Sequence, residues 1–158
     1  MAWKSYELDR AAQKLVLAAR ERDIVAKKTN PKEPGSLNQA HKMRMAVAYG
    51  LERFWGEHLR LKGKKAADEN KSKLWKETWN ALESILQKSG ITIPNDVLHP
   101  DSKGKIPTSE IEAMSKKLWN LSIEDQRVAI AVLTQLCDCI VWWTQRYKIG
   151  RSANEADS

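Results

Sequence analysis

The stretch DQRVAIAVLTQLCDCIVWWTQRYK, Asp125 to Lys148, constrains the fold more than any other part of the chain. An apolar run of this length must be covered, either by lipid or by the rest of the protein. Its centre, Val128 to Trp143, is sixteen residues long and contains Thr134, Gln135 and Asp138. A membrane span takes about 20 apolar residues, and an Asp near its middle costs roughly 2.5–3.5 kcal/mol. The N-terminal residues also lack the apolar centre of a secretory signal. The expectation is a chain that makes no membrane contact.

On a helix of about 100° per residue, Arg127, Thr134, Asp138 and Gln145 fall within about 40° of one another. Val128, Val132, Leu136, Cys139, Ile140 and Trp143 mark the centre of a broad apolar side that Leu133 and Val141 extend. One narrow polar seam is the pattern of a helix with neighbours on three sides. Ser122 stands where an N-cap is needed, and Arg146, Lys148 and Arg151 suit the negative end of the helix dipole.

Cys137 and Cys139, the only cysteines, sit about 200° apart on this helix, so they cannot grip one ion or join in a disulfide. They read as small core residues with free thiols, which fits a reducing cytoplasm. No metal-ligand spacing and no cofactor motif is present.

The remaining chain reads as helix. One helix is expected from about Tyr6 to Lys28, with Leu8, Ala12, Leu15 and Ala19 along one face. KKTNPKEPGS then breaks it with prolines and a glycine. A second is expected from Ser36 to about Leu61, opened by the capping-box pair Ser36 and Gln39. A third covers about Asp68 to Lys88 and stops at Gly90. The segment ITIPNDVLHPDSKGKIPT reads as an ordered loop pinned by Ile91, Ile93, Val97 and Leu98. A short fourth helix starts at a second capping box, Ser109 and Glu112. With no strand alternation anywhere, the expectation is an all-α, single-domain helical bundle of about five helices over 1–158, with 1–5 and 150–158 as flexible tails.

Net charge is +7, and residues 37–65 hold seven Lys/Arg against two Asp/Glu. A one-sided basic field points to a polyanionic partner, most often nucleic acid; ordinary solubilising charge is the alternative. On the wheel of the second helix, Lys42, Tyr49, Arg53, Arg60 and Lys64 lie within roughly 60°, opposite Met43, Val47, Leu51, Phe54, Trp55 and Leu59. Cations at this spacing match several phosphates, and Tyr49 among them can stack a base. Lys27, Lys28, Lys62 and Lys65 widen the patch. Glu52 and Glu57 flank it, and Arg44 and Lys62 point toward the apolar arc. No helix-turn-helix, zinc-finger or RNP-type motif supports base-specific reading.

RFWGEH, Arg53 to His58, fits the R-x4-H spacing of HEPN-type ribonucleases, in which an Arg and a His handle the scissile phosphate. In a continuous helix the two residues are about 140° apart, with His58 on the core side. The sequence therefore favours a binder over an enzyme, with metal-independent RNA cleavage by Arg53 and His58 as the alternative. A helical adaptor whose basic face meets an acidic protein is a third reading.

A small basic all-α chain ending in a long Trp-rich helix, preceded by LWNLSIEDQRVAIAVLTQL, resembles the small subunit of class 1 CRISPR effector complexes. The likeness is to the type I-D Cascade small subunit, related to the C-terminal region of that system's large subunit. The resemblance implies a non-catalytic cytoplasmic protein whose copies stack head to tail beside the CRISPR backbone and large subunits. It implies a basic face that holds single-stranded DNA, especially the displaced strand of the R-loop, and the crRNA–DNA duplex. R-loop formation is nearly balanced in energy, so modest phosphate contacts can decide it. Under this likeness Lys42, Arg53, Arg60 and Lys64 carry the strand, while Trp3 and Trp142 are interface anchors.

Overall fold

A computed structural model describes residues 5–63 and 65–147, with the side chains of residues 5 and 6 excepted. Trp3, Lys64 and the expected tails (apart from the backbone of Ser5) lie outside the described residues. Among these residues there are six α-helices and no strand: α1 (Ser5–Thr29), α2 (Ala40–Ala46), α3 (Leu51–Leu61), α4 (Ala66–Gln87), α5 (Thr108–Trp119) and α6 (Ile123–Tyr147). The all-α bundle expected from the sequence is the fold.

The helices occur where their apolar spacing demands cover. Leu8, Ala12, Leu15, Val16 and Ala19 of α1 are buried, and α1 packs most extensively on α6. From α6, Val132, Leu133, Leu136, Cys137 and Ile140 enter the same core. Each fully buried Leu or Val adds roughly 1.5–3 kcal/mol of transfer free energy. By length and composition α6 is apolar enough to cross a membrane, which corrects the sixteen-residue count. In the fold it packs against α1, α2 and α4, and Arg127, Gln135, Asp138 and Gln145 lie on its exposed strip. Ser122 caps it as expected, its Oγ accepting from the Asp125 N–H at 3.1 Å.

The second half of the core is aromatic. Phe54 of α3 lies between Trp75 and Trp79 of α4, at centroid distances of 4.9 and 6.5 Å. α4 ends as Gly90 suggested. Ile91 N–H donates to the Leu86 carbonyl and Gly90 N–H to the Gln87 carbonyl, a left-handed cap made possible by φ +80° at Gly90.

Three expectations are corrected. The helix expected from Ser36 to Leu61 is not continuous. Residues 36–39 form a 3-10 turn, α2 follows, and residues 47–49 tighten into a second 3-10 turn before Gly50. At φ 96°, ψ 173° Gly50 takes a backbone conformation that side-chain-bearing residues avoid, and α3 begins afresh. Hence there are six α-helices among the described residues where about five were expected, the second having split in two.

Neither expected capping box forms. The Ser36 N–H donates to the buried Asp23 carboxylate at 2.9 Å, while Gln39 accepts from the Trp75 indole at 3.2 Å. α5 starts one residue early, after Pro107, without a side-chain cap. In the loop, Ile93 is buried and Ile91 and Leu98 pack against the core as expected, whereas Val97 is 76% exposed and does not pin the segment. Polar contacts add to these anchors: Trp79 donates to the Pro94 carbonyl at 3.1 Å, and Lys117 holds Asp96 at 2.7 Å.

Candidate nucleic-acid interface

Because α2 and α3 are separate helices, the basic stripe is not one continuous ridge. Its central part survives the break. His41, Lys42, Met45, Tyr49, Arg53 and Glu57 line one shallow depression. Lys42, Tyr49 and Arg53 are exposed, with Tyr49 at 71%. The Arg53 guanidinium sits over the Tyr49 ring, 5.4 Å from its centroid. Arginine on an aromatic face keeps its charge while leaving the outer side of the pair free to stack. Neither Lys42 nor Arg53 makes a salt bridge among the described residues.

Arg60 departs from the expectation. It grips Glu57 with three hydrogen bonds of 2.8–3.1 Å, and that carboxylate raises its pKa. It is an exposed but partnered cation. The signal was present in the sequence as an i,i+3 acid–base pair on one helix face.

Lys62 is exposed but lines a different cavity, together with His58, Lys73 and Lys76. Lys65, also exposed, stands at the N-cap of α4. Lys27 and Lys28 close the last turn of α1; no hydrogen bond or ion pair joins them to Lys42 among the described residues. Lys64 and Trp3 are outside the described residues. Trp142 is 56% exposed, with Arg146 5.6 Å from its ring centroid.

Arg44 does not point into the apolar arc but reaches Asp138 of α6 at 2.6 Å. Glu52 turns away from the stripe and accepts from Ser115 of α5 at 3.0 Å. These partners are 94 and 63 residues away in the chain, beyond any helical wheel.

Arg53 and His58 are not brought together. Arg53 lies on Tyr49, whereas His58 is buried, its ring 5.4 Å from that of Trp55. Its Nδ1 is 2.5 Å from the Trp55 carbonyl, which fixes the proton there, and burial lowers its pKa to about 4. No hydrogen bond or ring contact joins its side chain to that of Arg53 among the described residues.

Cys137 and Cys139 are free, and they face different surroundings. Burial pushes the Cys137 thiol up, and burial with the Asp9 carboxylate pushes Cys139 up to about 12. Among the described residues, no group of three or more His, Cys, Asp or Glu side chains could hold a metal ion.

Comparison with protein families, with curated proteins and with solved structures finds no match.

Proposed function

We propose that the chain binds single-stranded nucleic acid through the Lys42–Tyr49–Arg53 face, without base specificity and without catalysis. The observation that carries this reading is an exposed aromatic ring beside two cations that make no salt bridge among the described residues. Phosphates meet the cations while a base stacks beside the guanidinium. With the resemblance stated above, we propose a cytoplasmic, non-catalytic small subunit of a CRISPR effector. Its partners would be the displaced DNA strand, the crRNA–DNA duplex, further copies of itself, and the backbone and large subunits. The resemblance is what supports the assembly; the geometry bears only on the strand.

Fluorescence polarisation with labelled oligothymidylate tests the strand. Affinity should fall with salt at roughly 0.7 log units per log unit for each phosphate contact. Tyr49→Ala removes a stacking contact of about 1–3 kcal/mol, a loss of roughly 5–150-fold. Lys42→Glu with Arg53→Glu should abolish binding while leaving the unfolding curve in place. Unchanged affinity in that double variant overturns the assignment. Metal-independent RNA cleavage lost on His58→Ala would replace it with the ribonuclease reading.

A further inference from the structure

A second basic feature lies away from the Tyr49 face. The end of α3, one side of α4 and residues 95–98, Pro100 and Ile106 line a cleft of about 510 Å³, within the size range of small-molecule sites. α4 supplies a strip at helical spacing, Glu69, Lys73, Lys76 and Asn80, and α3 adds His58, with Lys62 as its C-cap.

Lys76 is the unusual member. Its ammonium is half-buried, and its bonded partner is the neutral Asn95 Oδ1 rather than a carboxylate. Asn95 in turn donates to Asn80 at 2.8 Å, so the two amides form a chain that orients the lysine. Burial lowers the Lys76 pKa, while the nearby Glu83 and Asp96 carboxylates act in the other direction without bonding to it. Of the two acids on the walls, Asp96 is already held by Lys117 at 2.7 Å. Lys62 and Lys73 are exposed and make no salt bridge among the described residues. His58 Nε2 has no hydrogen-bond partner among the described residues.

The apolar part of the lining comes from Leu59, Val97, Leu98 and Ile106. Val97 stands 76% exposed there, an apolar surface that a flat organic group would cover.

We infer that this cleft binds a phosphate-bearing ligand of nucleotide size, the phosphate on Lys62, Lys73 and Lys76 and the organic part against Val97 and Leu98. Lysines serve phosphate as point charges with several donors each. The same chemistry is offered by a free mononucleotide and by the phosphorylated terminal nucleotide of a strand. The inference does not rest on the strand-binding face. Mononucleotide binding reads the cleft and long-oligonucleotide binding reads Tyr49, so either can fail alone.

The experiment is isothermal titration at low salt with adenosine 5′-monophosphate, adenosine, and short oligothymidylates carrying 5′-phosphate or 5′-hydroxyl. The monophosphate should bind at least about tenfold more tightly than adenosine. Lys76→Gln and Lys73→Gln should each weaken it by about tenfold or more. Lys103→Gln, on a turn outside the cleft, should leave it unchanged. Lys73 is exposed, so its variant reports even if Lys76→Gln fails to fold. A matching preference for the 5′-phosphate oligonucleotide identifies a strand end as ligand; its absence, with monophosphate binding intact, identifies a free nucleotide. Equal affinity for adenosine and its monophosphate, or full affinity in Lys73→Gln, overturns the proposal, as does no detectable binding of any probe.

Discussion

Replacing Gly50 by Ala separates two descriptions of the basic face by the sign of its effect. Were residues 36–61 one continuous helix, the glycine would sit in its interior, and alanine would stabilise by about 0.8–1 kcal/mol. In the fold, Gly50 lies at φ 96°, ψ 173°, where a side-chain-bearing residue stores about 1–3 kcal/mol of strain. Nothing crowds the position that a Cβ would take, so the cost is backbone strain without a clash to relieve. For a domain of this size 1 kcal/mol moves Tm by about 2–4 °C. The expected result is therefore a fall in Tm of roughly 2–12 °C, with a lower urea midpoint followed by circular dichroism and an unchanged slope. Because the turn also sets Tyr49 beside Arg53, oligonucleotide affinity measured on the folded variant should fall with it. A Gly50→Ala protein more stable than the parent would refute the break, and with it the placement of Lys42 relative to Arg53.

Further outcomes follow from individual side chains. His58 is held neutral, with its pKa lowered to about 4; the unfolded chain takes up a proton near 6.5, so stability is full above that pH. It should decline by up to about 3 kcal/mol between pH 6.5 and 4, and His58→Gln should remove that slope in urea unfolding across the range. Leu136→Ala deletes a fully buried side chain and should cost about 2–5 kcal/mol by the same measurement. Glu57→Gln frees Arg60 and deletes a negative charge beside the depression, so oligonucleotide binding should strengthen severalfold at low salt and converge with the parent at high salt. Ellman's reagent should find Cys137 unreactive and Cys139 slow in the folded protein, and both reactive in denaturant.

The sequence by itself determined the helical class, the faces of α1 and α6, the buried side of the basic segment, the helix stop at Gly90 and the helix start at Ser122. Each depends on spacing within one turn or one helix, where local periodicity and the preferences of Gly and Ser act directly. It also located the excess positive charge and placed Lys42, Tyr49 and Arg53 on a common side. Only the tertiary structure decided the rest. A lone glycine fits equally well inside a helix or at its end, and packing of α2 and α3 onto separate neighbours chose the end. Arg44 found Asp138, Glu52 found Ser115, and Ser36 gave its N–H to Asp23 instead of opening a capping box, all through partners that no wheel displays. The lysine cleft shows this most plainly, because α3, α4 and the segment after Gly90 meet there only once the chain has folded. Local free energies write the helices, whereas the pairing of distant polar groups is settled by which surfaces the core brings within hydrogen-bond reach.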